Sequence, residues 1–136
     1  MINYRVQIDG VDKTGKDLIL KYVTILSNHK YVIQARGLIS QLAYSEIYKR
    51  QYEYDLNSFS NDIYILLTAE VEDLSIRHKL VNEPKIDIKN DVQIFEKVYN
   101  ILKSKNFKIF KINTSKVTPY MAAKEIIEIV EELSNV

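Results

Sequence analysis

The stretch Gly10-Val11-Asp12-Lys13-Thr14-Gly15-Lys16-Asp17 constrains this 136-residue chain more than any other. It lies between an apolar, strand-like run and a helix-like one. In that setting a Gly-x-x-x-x-Gly-Lys sequence forms a phosphate-binding P-loop. Backbone N–H groups of such a loop turn inward and make a concave anion site. The helix behind it adds the positive end of its dipole, and Lys16 reaches the terminal phosphates as a point charge. Gly10, Asp12, Lys13, Thr14, Gly15, Lys16 and Asp17 are therefore the expected phosphate-binding residues. Only three glycines occur in the chain, and Gly10 and Gly15 are the two that the pattern fixes; the third is Gly37. Glycine is needed where backbone turns left-handed or approaches a ligand closely. One position departs. The usual pattern ends in Ser or Thr, whose hydroxyl binds Mg2+, and this chain has Asp17. The plainer alternative is an ordinary strand-to-helix turn that holds a lysine.

The rest of the chain reads as alternating strands and helices. Residues 4–8 alternate and are β-rich, so they predict a buried strand. A helix over 16–26 carries Leu18, Ile19, Leu20, Tyr22, Val23 and Leu26 on a broad apolar face, and Ser27-Asn28-His29 closes it. Residues 31–35 form a second strand, ended by Arg36-Gly37. A long helix is predicted over 38–54, followed by a polar loop over 55–62. The continuous apolar run 63–67 predicts a strand buried on both faces of a parallel sheet. A helix over 70–80 follows, with Val71, Leu74 and Ile76 apolar. An irregular segment broken by Pro84 leads to a helix over 91–103 with Asp91 at its start. Residues 107–112 are a strand. Thr118-Pro119 then opens a last helix, with Met121, Ile126, Ile127, Val130 and Leu133 as its buried stripe. This order predicts an α/β fold: a mainly parallel sheet of about four strands between two helical layers, in one domain over 1–136. In such sheets ligands bind beyond the carboxyl ends of the strands. The 10–17 loop, Arg36 and Thr68 all fall there.

Composition excludes several function classes. Net charge is +1, so no broad basic field exists to recruit nucleic acid or an anionic membrane. The absence of cysteine removes disulfides, thiolate metal sites and a Cys nucleophile. No apolar run approaches the roughly 20 residues that span a bilayer, and a strand rather than a signal peptide opens the chain. A cytoplasmic protein is the expectation. His29 and His78 have no metal-ligand spacing and read as solvated; Glu131-Glu132 read as an exposed helix face.

Residues 8–16, Ile-Asp-Gly-Val-Asp-Lys-Thr-Gly-Lys, resemble the P-loop of the thymidylate kinase family, which carries an acidic-Gly-x-Asp-x-x-Gly-Lys core. Later stretches fit in the same order and span nearly the whole chain. Arg36-Gly37-Leu38-Ile39-Ser40 resembles the family's Asp-Arg segment, with Tyr44 and Tyr48 on the helix behind. Residues 65–69, then Asp73 to Arg77, resemble its fourth strand and the start of its lid. Ile112-Asn113-Thr114-Ser115 before Thr118-Pro119 resembles its last strand, the loop near adenine and the final helix. The resemblance implies a P-loop NTPase fold and transfer of the γ-phosphate of ATP, with Mg2+, to a deoxynucleoside monophosphate, thymidine monophosphate first. That chemistry is positioning plus charge neutralisation. Lys16, Lys13 and Arg36 match the family's catalytic positions. Asp12, Arg36 and Tyr44 match the acceptor side, and Arg77, Thr114 and Ser115 the adenine and lid side. Each has a plainer reading as a solvated or packed residue. Members dimerise through helices, which marks the helix from Leu38 as a candidate homodimer surface.

The chain also departs from the family. Asp17 replaces the Mg2+-binding hydroxyl, and Ala35 stands where the family has an aspartate before the arginine. Either Asp17 holds Mg2+ in place of both groups, or the metal site is lost and the chain is a degenerate nucleotide-binding relative acting through a protein partner. A P-loop enzyme of another substrate class, such as a nucleoside kinase, is a third reading. Arg36 follows Lys16 by only 20 residues, where the family has a further strand and an acceptor-binding segment. The lid is short too, its His78, Lys79, Lys85 and Lys89 mixed with Glu83 and Asp87. The acceptor pocket is then smaller than the family's, or completed by a second copy.

Overall fold

The computed structural model describes residues 5–49, 61–82 and 87–134. Among them the chain runs β1 (Arg5–Gly10), α1 (Lys16–Leu26), β2 (Val32–Ala35), α2 (Leu38–Ile47), β3 (Ile63–Thr68), α3 (Val71–Leu80), α4 (Ile88–Ser104), β4 (Lys108–Asn113) and α5 (Pro119–Ser134). The four strands form one sheet in the order β2-β1-β3-β4, with every neighbouring pair parallel. Side chains alternate across its centre. Ile63, Ile65 and Leu67 enter one core with Ile19 and Val23 of α1 and Ala122, Ala123, Ile126 and Val130 of α5. Tyr64 and Leu66 enter the other, with Leu38, Ile39 and Ala43 of α2, Leu74 of α3 and Phe95, Val98 and Leu102 of α4. Residues 63–67 are buried throughout, and each such side chain contributes about 1.5–3 kcal/mol on burial. The apolar run that reads as a two-face-buried strand thus becomes the centre of an α/β/α arrangement.

Element bounds differ from the sequence reading in informative places. The helix expected over 38–54 closes at Ile47, with Lys49 in the left-handed region at φ 53°; residues 50–60 lie outside the described set. The helix expected to start at Asp91 starts at Ile88, behind Asp87. Ile88 is buried in the core, so an apolar anchor sets the start, and Asp91 is a buried first-turn residue rather than the cap. In α5, Thr118 caps as expected: its Oγ1 accepts from Met121 N at 3.2 Å. Met121 itself is 57% exposed, and the small residues Ala122 and Ala123 face α1 instead. Ile76, Leu18 and Leu26 are likewise exposed, outside the faces that the sheet covers. His78, expected in solvent, is 3% exposed because it shares the inward face of α3 with Leu74 one turn earlier. His29 is exposed, as are Glu131 and Glu132.

A polar bridge fixes α2 against the sheet. Gln7 is buried in β1; its Nε2 donates to Asp62 Oδ2 at 2.7 Å and its Oε1 accepts from Leu38 N at 2.7 Å. Asp62 Oδ2 also accepts from Arg5 Nε at 2.8 Å. A Cβ on Gly37 would collide with the Gln7 amide, so space requires that glycine. Gln7→Leu strands the Leu38 N–H. The expected outcome is a loss of about 1–3 kcal/mol, seen as a lower urea midpoint with an unchanged slope. An unchanged midpoint would mean that Leu38 finds another partner.

Candidate functional site

The sheet order sets where a ligand can sit. From β1 the chain moves to one side, and from β3 it moves to the other. The crevice of such a sheet opens beyond the carboxyl ends of the two strands between them, here β1 and β3. The 10–17 loop leaves the first and Thr68 ends the second.

Local geometry explains the loop's residues. A Cβ on Gly10 would lie 2.8 Å from both Leu67 O and Thr14 Oγ1, so β3 admits only glycine there. Thr14 is buried, and its hydroxyl donates to Val11 O at 3.0 Å, closing the loop on itself. Lys13 and Gly15 are left-handed, at φ 71° and 87°. Gly15 is the N-cap of α1 and supplies no side chain to its first-turn N–H groups, which have no intrahelical acceptors. Asp12 and Asp17 are exposed, and Asp12 Oδ1 accepts from Lys13 N at 3.1 Å. Residues 11–18 and Arg36 line one cavity of about 320 Å3. Arg36 reaches it from the left-handed residue (φ 55°) between β2 and α2. A larger depression along α4, about 570 Å3, holds no convergent cations.

Beneath the loop lies Asp9, a residue whose part the sequence does not reveal. It is fully buried at the end of β1. Its Oδ1 accepts from the Ser40 hydroxyl, and the nearby backbone of Gly37 and Ser40 favours its charged form. α2 has no side-chain cap of its own; Gln7 and Asp9, on the same face of β1, supply that function from the neighbouring strand. Asp9 Oδ2 has no hydrogen-bond partner. Burial therefore raises the Asp9 pKa above its ordinary 3.8, against the pull of Ser40, Gly37 and Lys16. Burial also lowers the Lys16 pKa. Arg36 acts in the same direction, while Asp9, Asp17 and Asp12 oppose it. Lys16 and Arg36 therefore share one field in the absence of any anion.

The expected base-side residues occupy a second cluster. Arg77 Nη1 donates to Lys13 O at 2.9 Å and to Thr114 Oγ1 at 3.3 Å, and Nη2 donates to Thr114 O at 3.3 Å. Ser115 Oγ accepts from Glu70 N at 2.8 Å, at the start of α3. Tyr44 is half-buried on α2, stacked on Tyr48 at 5.8 Å and edge-on to Phe95 at 5.5 Å. It belongs to the core's margin and does not line the cavity with Arg36. Ala35 is exposed at the end of β2 and brings no carboxylate. Among the described residues no three His, Cys, Asp or Glu side chains cluster as a ready metal site, and no helix is long and apolar enough to cross a membrane.

Asp9 predicts a pH dependence whose sign follows from its raised pKa. A carboxyl group that holds its proton more tightly when folded adds stability below pH 3.8, and that stability is lost as pH rises through the folded-state value. Asp9→Asn mimics the protonated form, so wild type should lose stability relative to Asp9→Asn as pH climbs from 3 towards neutrality. Parallel pH–Tm curves for the two proteins would overturn this account.

The chain matches no protein-family model and no curated protein, so its functional reading rests on this cleft.

Proposed function

We propose that the protein has a P-loop NTPase fold and transfers the γ-phosphate of ATP to a deoxynucleoside monophosphate, with thymidine monophosphate the first acceptor to test. One observation carries the reading. Lys16 and Arg36, from two different strand ends, line the same cavity as the 10–17 loop. Transfer between two phosphorylated molecules needs cations on both the donor and the acceptor group, held in line. Lys16 and the loop N–H groups take the donor phosphates. Arg36, with a planar fork suited to bidentate phosphate contact, takes the acceptor phosphate. Asp12, exposed on the cavity wall, is placed for an acceptor hydroxyl, and Lys13 for the transferred group. The likeness of residues 8–16 to the thymidylate kinase loop supports the same assignment.

Mg2+ fits this wall through carboxylate oxygen. Asp17 and Asp12 both line the cavity, and Mg2+ takes one or two carboxylates plus waters and phosphates. Asp17 would hold the ion, and the ion would neutralise charge on the donor phosphates. Thr14 is buried within the loop, where its hydroxyl donates to Val11 O. A second reading, a degenerate nucleotide-binding relative acting through a protein partner, draws on Ala35, which leaves the β2 end without a carboxylate.

Phosphoryl transfer from ATP to a panel of deoxynucleoside monophosphates separates the two. Turnover is expected in wild type, and Lys16→Ala should lower kcat by about 10²–10³-fold, the loss typical of one preorganised donor. ATP binding without turnover on any acceptor favours the second reading. Removal of Mg2+ should weaken ATP binding in wild type, because Asp17 then repels the phosphates, and should weaken it less in Asp17→Thr. Equal affinity of wild type with and without Mg2+ rules out Asp17 as the metal residue.

A further inference from the structure

We propose that Arg77 is a positioning residue, a strut that ties the crown of the 10–17 loop to the turn between β4 and α5 and so fixes the loop's anion-binding shape. The proposal rests on the anion-site reading above and goes beyond it, because it assigns Arg77 to the loop's backbone rather than to the base of a nucleotide.

The guanidinium bridges two segments far apart in sequence. One bond goes to the carbonyl of Lys13 and two go to Thr114. Thr114 is itself fastened to the sheet: its N and its Oγ1 both donate to Thr68 O, at 2.7 and 2.9 Å. The base of the strut is fixed as well. Ser115 Oγ accepts from Glu70 N, and Asn113 Nδ2 donates to Glu70 Oε1 at 3.0 Å, at the N-terminus of the helix that carries Arg77. A continuous path of hydrogen bonds therefore runs from the end of β3, through Thr114 and Arg77, to Lys13.

The carbonyl at the end of that path matters. Lys13 is a non-glycine residue at φ 71°, a conformation that persists only where its surroundings hold it. In a trans peptide the carbonyl and the next N–H point in opposite directions. Arg77 holds Lys13 O, so the Thr14 N–H is directed away from Arg77, to the other side of the loop. Arg77 does not line the cavity that Lys13 and Thr14 line. Its side chain thus acts on the cavity through a peptide plane.

The test uses the full chain with two ligands, ATP and inorganic tripolyphosphate, which lacks base and sugar. Arg77→Met keeps the apolar stem and removes the fork. It is expected to weaken both ligands by a similar factor, about tenfold or more, the worth of a charge-assisted hydrogen bond. Arg77→Lys keeps the charge without the fork and should stay weak. Loss of ATP affinity alone, with tripolyphosphate unchanged, would place Arg77 on the base or sugar and overturn the proposal. So would full recovery in Arg77→Lys, or unchanged binding of both ligands in Arg77→Met. Amide resonances of the ligand-free chain give a readout independent of any ligand. In Arg77→Met those of Thr14 and Gly15 should move while those of β1 and β3 stay in place. If wild type bound neither ligand, the anion-site reading would fall, and these shifts would still decide whether the strut exists; their absence would overturn it.

Discussion

The Arg36 side of the cleft depends on how one strand caps a helix that is not its sequence neighbour. Gln7 and Asp9 project from the same face of β1 and bind the first turn of α2 through Leu38 N and the Ser40 hydroxyl. A helix start leaves its N–H groups without intrahelical partners, and α2 brings no cap of its own. The sheet supplies one, and Gly37 is bare so that Gln7 can reach. Arg36 is the residue immediately before that capped turn. Its left-handed backbone is therefore held between β2 on one side and the bridge to β1 on the other, and its side chain is delivered to the cavity beside Lys16.

The same arrangement explains the local charges. Asp9 lies under the loop with one oxygen bound by the Ser40 hydroxyl and the other unpartnered. A buried, ionised carboxylate with an orphan oxygen is costly, which is why burial dominates its titration. Above it, burial and the Arg36 charge disfavour charged Lys16, and Asp9, Asp17 and Asp12 partly offset them. An anion entering the cavity relieves the repulsion between the two cations and adds to that felt by the carboxylates. Asp12 and Asp17 are exposed, so solvent or a cation can meet their charge. Asp9 is shut off from solvent, and Ser40, Gly37 and Lys16 only partly offset the burial that raises its pKa.

How legible this was in the sequence varies with the length scale of each feature. Period-2 and period-3.6 patterns are local, so the four strands and five helices among the described residues follow from them, and parallel pairing follows from alternation. The loop was legible because its spacing is fixed by backbone geometry. The helix starts were less so: Ile88 overrides Asp91 because a distant core rewards burying it, and no short-range signal carries that. His78 and Met121 exchange the sides expected of them for the same reason, since which helix face is inner depends on the partner it meets. Gln7 offered a hint, a polar residue inside a buried strand, but its partners Leu38 and Asp62 lie 31 and 55 positions away. The bond from Arg77 to Lys13, 64 positions apart, left no trace in any local pattern.

The short connection from Lys16 to Arg36 bears on what the cleft can recognise. Only α1 intervenes before β2, which pairs directly with β1 and forms the edge of the sheet. Among the described residues, Arg36 is the one residue outside the 11–18 stretch that lines the cavity. A volume of about 320 Å3 stands at the small end of ligand sites. Two lysines, an arginine and two aspartates line it beside Val11, Thr14 and Leu18, so most of its wall is charged. The cavity is compact and assembled within the described residues, from the loop that follows β1 and the left-handed residue that follows β2, so its shape is set by two strand ends that pair directly in the sheet.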